Sequence, residues 1–197
     1  MSIALRSVAG GCLLALLLGA TACDAGTVVS TPPVVAGSPV VAGSPVPGRS
    51  GFFGGTDLAW VEITIAMNEE LLPLLDLAPA HSSDDAVRAL VAEVRAGHEQ
   101  ELGALRRLHD QAKLPSENPH KGMPMPGMVT PEQVTAAAAV NGAAFDKLLA
   151  QHLRAHFEQG VKLAESEEQA GVEPQTKALA AQVIASRERF LGRLSAS

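Results

Sequence analysis

The sequence lacks tyrosine, and aromatic residues make up 3% of its 197 residues. It also lacks a run of basic residues, and its formal net charge is −6. A protein that binds nucleic acid needs a Lys/Arg surface that displaces counterions from the phosphates, so this class is excluded. With so few large rings, the interior must be built from Leu, Val, Ile and Ala, a mixture that suits closely packed helices.

Cysteine is almost absent: the chain has Cys12 and Cys23 alone. Cys12 lies inside a predicted signal peptide, so no disulfide is expected in the exported protein and packing must hold the fold. The sequence also has no Gly-x-Ser-x-Gly elbow and no glycine-rich phosphate loop. Without a nucleophile or a phosphate cradle, we expect that the protein is not an enzyme.

Residues 1–22 have the features of a signal peptide. The apolar run LLALLLGA at 13–20 has the length of a signal-peptide h-region and is too short to span a bilayer. The A-T-A-C sequence at 20–23 allows two interpretations. The A-x-A pattern fits ordinary cleavage, which would release a secreted soluble protein. Small residues before a cysteine also resemble a bacterial lipobox, in which Cys23 is lipidated and anchors the protein to the membrane. We expect the lipidated form.

Residues 23–56 are rich in Pro, Gly and Val and contain a direct repeat of VVAGSP. This composition predicts a disordered tether that holds the following domain away from a membrane surface. A passive disordered tail is the alternative.

An internal repeat organises residues 57–195, because a shift of 89 residues aligns two units without a gap. The units are 57–113 and 146–195, and a Met-rich connector, 114–130, lies between them. Each unit has the hydrophobic periodicity of two amphipathic helices. The repeat therefore predicts an all-α fold, a four-helix bundle made of two duplicated helical hairpins.

Start and stop signals place the predicted helices. Pro73 predicts a kink in the first helix and Pro79 its end, while Asp84 offers an N-cap for the second. The sequence from Thr130 to Gln133 has the order of a capping box with a proline at the first helical position, so a short helix should follow it. The four long helices are expected at about 57–77, 84–113, 143–169 and 173–194.

Polar residues interrupt the apolar faces of two of these helices. His152 and His156 are four residues apart, a common spacing for two ligands of zinc, copper or nickel. His98 and Glu101 continue the apolar stripe of the second helix. These four side chains could meet as metal ligands inside the bundle. The alternative is a hydrogen-bonded network that contains no metal.

The connector contains HKGMPMPGM, in which no helix or strand is expected. Thioether sulfur is a soft ligand that prefers Cu(I), so His120, Met123, Met125 and Met128 form a second candidate metal site. The alternative is that the methionines fill gaps at the end of the bundle, since methionine adapts to irregular spaces.

Three segments in this order are typical of one family: MPGMVTPEQ at 125–133, FDKLLAQHLRAHFEQGVKLAE at 145–165 and TKALAAQVIAS at 176–186. Together with DLAWVEITIAMNEELLPLLDLA in the first unit, they resemble the domain of unknown function 305 family over about residues 57–194. The resemblance implies an exported bacterial helical bundle of ferritin-like shape. It also implies a link to copper or other metals, which some family members are implicated in binding.

The chain departs from the family's hallmark, an adjacent His-His pair in each unit. Met67-Asn68 and His156-Phe157 occupy these positions. The later Q-x-x-E of the family is His98-x-x-Glu101 in the first unit and Arg187-x-x-Phe190 in the second.

These features predict a lipid-anchored extracytoplasmic bundle that binds a metal, copper above all, in storage, buffering or resistance. The alternative is a structural or protein-interaction lipoprotein that keeps a degenerate ancestral metal site. The membrane, through the lipid at Cys23, is the expected partner.

Overall fold

The fold was obtained as a computed structural model, which describes residues 51–196. Within that range the chain forms helices and no strand, so the all-α prediction is confirmed. The predicted signal peptide, Cys23 and the tether up to residue 50 lie outside the described residues. The helices are α1 (Gly55–Leu75), α2 (Ala78–His81), α3 (Asp85–Ala112), α4 (Pro131–Ala138), α5 (Ala143–Ala170) and α6 (Pro174–Ala196).

The first helix differs from its prediction at both ends. It begins at Gly55, before the predicted start, and Phe53 packs against the core ahead of it. It ends at Leu75, because the chain turns there, and Pro79 lies near the start of α2 instead of closing α1. Pro73 lies inside the last turn of α1.

The predicted caps of α3 and α4 are present. The Asp84 carboxylate accepts hydrogen bonds from the backbone N–H groups of Ala86 (2.7 Å) and Val87 (3.3 Å), two of the donors that a helix start leaves unpaired. Thr130 and Gln133 form a reciprocal capping box, with the Thr130 N–H 2.9 Å from the Gln133 side-chain oxygen. These local interactions set the two starting points that the sequence predicted.

The four long helices pack as two hairpins, α1 against α3 and α5 against α6, and α1 also packs against α5. Apolar side chains form two main clusters along the bundle. Each long helix contributes to both clusters, and it carries a buried polar residue near the point where it passes from one to the other. These residues are Asn68 on α1, His98 and Glu101 on α3, His156 on α5 and Arg187 on α6.

The Met-rich connector has turns and no regular element, as predicted, but it is fastened to α1. The Asn118 side chain donates to the Glu62 carbonyl (2.8 Å), and the Gly122 N–H donates to the Glu70 carboxylate (2.6 Å). Met128 and Val129 at its end are buried in the core. The connector is therefore part of the packed domain.

None of the helices within residues 51–196 combines the length and apolarity needed to cross a bilayer.

Candidate functional site

Two histidines meet in the middle of the bundle. His98 on α3 and His156 on α5 are 0% and 1% exposed, and their Nε2 atoms are 3.1 Å apart. The rings are tilted by 42°, with centroids 5.2 Å apart. The ring of Phe157 flanks both, 6.1 Å from His98 and 5.8 Å from His156, so an apolar wall closes one side of the pair.

The contacts of the other ring nitrogens favour one tautomer of each ring. Nδ1 of His98 lies 2.8 Å from the Val94 carbonyl oxygen, and Nδ1 of His156 lies 3.3 Å from that of Gly127. A carbonyl oxygen only accepts, so we assign the hydrogen to Nδ1 in both rings. Each Nε2 then presents a lone pair to the other. Two acceptors at this distance repel unless a proton or a metal ion lies between them.

Protonation is disfavoured at both rings. Burial lowers the pKa of His98 well below its ordinary value, with further contributions from the positive charge of Arg187 and from His156. Burial, followed by the charge of Arg187, lowers the pKa of His156 to about 3. Both imidazoles are therefore neutral at physiological pH, and the neutral imidazole is the form that binds metal ions.

A buried ion pair lies beside the histidines. Nη2 of Arg187 donates to the Glu101 carboxylate (2.8 Å) and to the Asn68 side-chain oxygen (3.2 Å), and Asn68 donates to Glu101 (2.6 Å). Nε and Nη1 of Arg187 have no hydrogen-bond partner within the described part of the chain. The guanidinium lies 5.7 Å from the centroid of the Phe157 ring. It also packs against Gly160, where a Cβ atom would come within 3.3 Å of Nε.

The repeat explains why these side chains meet. The shift that aligns the two units pairs Met67-Asn68 with His156-Phe157, and His98-x-x-Glu101 with Arg187-x-x-Phe190. All eight residues are buried at the level where the apolar clusters adjoin, and Phe157 stacks on Phe190 at 5.5 Å. Asn68 and Arg187 also belong to the site and were not predicted as members of it. Their positions in the repeat were the signal that could have identified them.

The structure separates the four side chains of the predicted core site. His98 and His156 come together, whereas Glu101 is held by Arg187 and Asn68. His152 is half-buried, and burial lowers the pKa of its ring, but it lies outside these contacts. A ligand set of two imidazoles, not four converging groups, is what the bundle interior offers.

The residues of the predicted connector site are divided between the core and the surface. Met128 is buried in a cluster with Met67 and Ala66, and Met125 packs against that cluster from a half-buried position. Met123 is 45% exposed. His120 is half-buried, and its Nδ1 has no hydrogen-bond partner within residues 51–196.

Met128 directly follows the residue whose carbonyl oxygen contacts His156. The Gly127 carbonyl contacts His156, and the next residue, Met128, packs against Met67. No group of three or more His, Cys, Asp or Glu side chains is placed to hold a metal ion in the described part of the chain. A metal ion at this level would therefore rely on imidazole nitrogen and thioether sulfur.

Comparisons with known proteins agree on the family and the fold. The family described as "Domain of unknown function (DUF305)" matches residues 57–196, which confirms the resemblance found in the sequence. No curated protein is significantly similar to the chain in sequence.

Two crystal structures of DUF305 proteins resemble the bundle. One, from Streptomyces coelicolor and provisionally described as secreted, has a TM-score of 0.63 and 20% identity, and the similarity covers 71% of this chain and 89% of that one. The other, a fragment from Deinococcus radiodurans, has a TM-score of 0.65 and 13% identity, with 73% and 95% covered. At these identities the likeness supports the fold alone.

Proposed function

This chain belongs to the DUF305 family, and we propose that it is an exported, lipid-anchored bundle that binds copper(I) between His98 and His156. In this account the protein stores or buffers the ion and is not an enzyme. The observation that carries the proposal is the pair of buried Nε2 atoms 3.1 Å apart, with both Nδ1 atoms facing backbone carbonyl oxygens.

Both rings are oriented as metal-binding histidines commonly are. Such residues direct their second ring N–H to a carbonyl or carboxylate, and here both Nδ1 atoms face backbone carbonyl oxygens. A tetrahedral ion bound at about 2.0–2.1 Å separates two ligand nitrogens by roughly 3.3–3.4 Å. The observed separation of 3.1 Å needs only a small opening to accept it.

The surroundings favour a soft ion of low charge. Imidazole and thioether donors are neutral, and thioether sulfur favours Cu(I) over harder divalent ions. Met128, which follows Gly127 in the chain, and Met67, which belongs to the same buried cluster, carry such sulfurs. The nearby charge of Arg187 opposes cations in proportion to their charge, and the Glu101 carboxylate is already engaged by that guanidinium.

Competition with a chromogenic Cu(I) chelator tests the site. We expect the wild-type protein to retain about one Cu(I) per chain, and we expect the variants His98→Leu and His156→Leu to lose it. His152→Leu is the matched control, because it removes an imidazole from the same helix but outside the pair. Helical circular dichroism checks that each variant is folded. Retention of copper by both pair variants would contradict the proposal.

The signal sequence and the small residues before Cys23 support export and anchoring. The related Streptomyces coelicolor protein is provisionally described as secreted, which agrees with export. Lipidation predicts that a Cys23→Ala variant leaves the membrane fraction. Unchanged partitioning would refute the anchor and would leave the metal proposal intact.

A structural or interaction role is the second candidate. The Arg187–Glu101–Asn68 network favours it, because three hydrogen bonds join these buried side chains without a metal. In that case no metal would be retained. Replacing both His98 and His156 by Leu would also raise the midpoint of thermal unfolding, since the repulsion would vanish and apolar packing would replace it.

A further inference from the structure

Three carboxyl groups are buried together where α1 begins and α5 turns into α6. Asp57 is in the first turn of α1, Glu167 is near the end of α5, and Glu173 directly precedes α6. All three are 0% exposed. This cluster lies away from the histidine pair and takes no part in the proposed copper site.

Asp57 is well supplied with hydrogen-bond donors. Its carboxylate accepts from the N–H groups of Gly54 (2.6 Å), Val172 (3.0 Å) and Glu173 (3.0 Å). Burial on its own raises the pKa of Asp57, but hydrogen bonds from Glu167 and from these backbone groups outweigh burial and lower it. Asp57 is therefore ionised, and it joins the start of α1 to the turn between α5 and α6.

Glu173 has donors of its own. Its Oε2 accepts from the backbone N–H (2.7 Å) and the hydroxyl (3.0 Å) of Thr176, and its Oε1 lies 3.4 Å from the N–H of Gly51. Through the last contact, the turn also holds Gly51, at the start of the described chain. This segment links the bundle to the preceding residues.

Glu167 differs from both neighbours because neither of its carboxyl oxygens meets an N–H or O–H donor in the described part of the chain. Its side chain lies against Gly171, where a Cβ atom would come within 2.1 Å of Oε1. Asp57 lies at the same turn, because its carboxylate accepts from the N–H of Val172, the residue after Gly171, and this carboxylate is the polar group next to Glu167. Two facing acceptors form a hydrogen bond only when one of them carries a proton.

We propose that Glu167 is held as the neutral acid and donates its carboxyl proton to Asp57, so that one proton fastens α5 and the following turn to the start of α1. The proton stays on the Glu167 oxygen and is shared through the hydrogen bond. When it is lost, two adjacent carboxylates repel in a buried space, and the segment Gly51–Gly54 loses its hold on the bundle.

The direction of the pH effect follows from the charges around Glu167. Burial raises the pKa of Glu167 to about 8, the hydrogen bond and negative charge of Asp57 and the charge of Glu173 raise it too, and Lys177 on α6 opposes them. Because the folded state holds this proton more tightly than the unfolded chain, the contribution to stability is fully present below the ordinary value of 4.5. It is lost as the pH rises through the folded value of about 8.

The midpoint of thermal unfolding of Glu167→Gln, measured against pH, tests this shared proton between Glu167 and Asp57. Glutamine keeps the shape and a donor for Asp57 but cannot titrate, so the wild type should lose stability relative to this variant as the pH rises from about 5 to 8. Glu168→Gln is the control, because this neighbour is exposed and should titrate as the wild type does. Parallel pH profiles for the wild type and Glu167→Gln would overturn the proposal.

Two further measurements do not depend on how well the variant folds. The side-chain carboxyl carbon of Glu167 in the wild type should titrate by NMR with a midpoint near 8, and a midpoint near the ordinary 4.5 would overturn the proposal. Above that pH, chymotrypsin should cleave after Phe53 several-fold faster in the wild type than in Glu167→Gln at the same pH. Equal rates would contradict release of the segment. Failure of the copper proposal would leave all of these results unchanged.

Discussion

His98 and His156 face each other across the bundle with their Nε2 atoms 3.1 Å apart, while both Nδ1 atoms point at backbone carbonyl oxygens. Neutral rings in this arrangement oppose lone pairs in a site closed to water. Buried polar groups normally pair, so an unresolved repulsion at the centre of a fold needs a physical reason. The proposed copper ion would supply one, and metal-binding histidines commonly direct their second ring nitrogen to a carbonyl oxygen in this way.

The buried ion pair gives a first prediction. Arg187→Met leaves the Glu101 carboxylate uncompensated in the core, so we expect a loss of about 3–5 kcal/mol in the free energy of unfolding. Adding Glu101→Gln to this variant should restore most of the loss, because the second charge then disappears as well. Denaturant unfolding of the four proteins in this cycle measures the coupling.

Arg189→Met is the control for the Arg187 variant. Arg189 is exposed and lies over Phe190, so its replacement should change the free energy of unfolding by about 0.5 kcal/mol or less. Equal effects of the Arg187 and Arg189 substitutions would contradict the role given to the ion pair.

Two glycines of the connector give a second prediction. Gly122 and Gly127 both have φ of +75°, a conformation that favours glycine. A Cβ atom at Gly122 meets open space, whereas one at Gly127 would come within 2.7 Å of the Ala155 carbonyl oxygen. Gly127→Ala should therefore cost about 1–3 kcal/mol more than Gly122→Ala in thermal or denaturant unfolding.

The same pair of variants tests how His156 is positioned. The Gly127 carbonyl is the partner of its Nδ1, so moving this carbonyl should also weaken Cu(I) binding. Gly122→Ala should leave the Cu(I) affinity unchanged. If the two variants bind Cu(I) equally well, the carbonyl does not orient the ring.

The methionines give a third prediction. Met128 is 5% exposed and lies in one buried cluster with Met67, whereas Met123 is 45% exposed. We expect Met128→Leu to weaken Cu(I) binding about tenfold or more and Met123→Leu to leave it unchanged, because leucine fills the space without donating a sulfur ligand. Chelator competition measures both. The reverse order would place the copper at the exposed part of the connector around Met123.

Asp57 gives a fourth prediction, which concerns the free energy of unfolding at acidic pH. Because its folded pKa is lowered, its contribution to stability is present above the ordinary value of 3.8 and is lost as the pH falls through the folded value. Asp57→Asn should lower the free energy of unfolding by about 2–4 kcal/mol at pH 6 and by clearly less at pH 2–3. Denaturant unfolding at the two pH values checks this. A deficit that is equal at both would contradict the ionised role of Asp57.

Much of the fold could be predicted from the sequence because its signals are local. Asp84 and Thr130 bind backbone donors within three residues of themselves, and the spacing of leucines fixes the buried face of each long helix. The internal repeat then predicted two helical hairpins that close into a bundle, and the resemblance to the DUF305 family implied the same fold. The errors concern α1, which begins and ends before the predicted positions because the chain already packs against the core ahead of the predicted start.

The candidate site could be predicted only in part, since its contacts join residues far apart in the chain. His98 and His156 were recognised by their positions on the apolar faces. The ion pair between Glu101 and Arg187, 86 residues apart, left no local signal. The burial of Met128 could not be predicted from the sequence either. The Pro and Gly around it favour turns but do not indicate which surface the turns cover.

X-ray absorption at the copper edge of the Cu(I)-loaded protein tests the central claim most directly. The account predicts two imidazole nitrogens at about 2.0 Å together with sulfur in the wild type and in His152→Leu, and no retained copper in His98→Leu. A spectrum that shows sulfur without imidazole, or one that His98→Leu leaves unchanged, would contradict it.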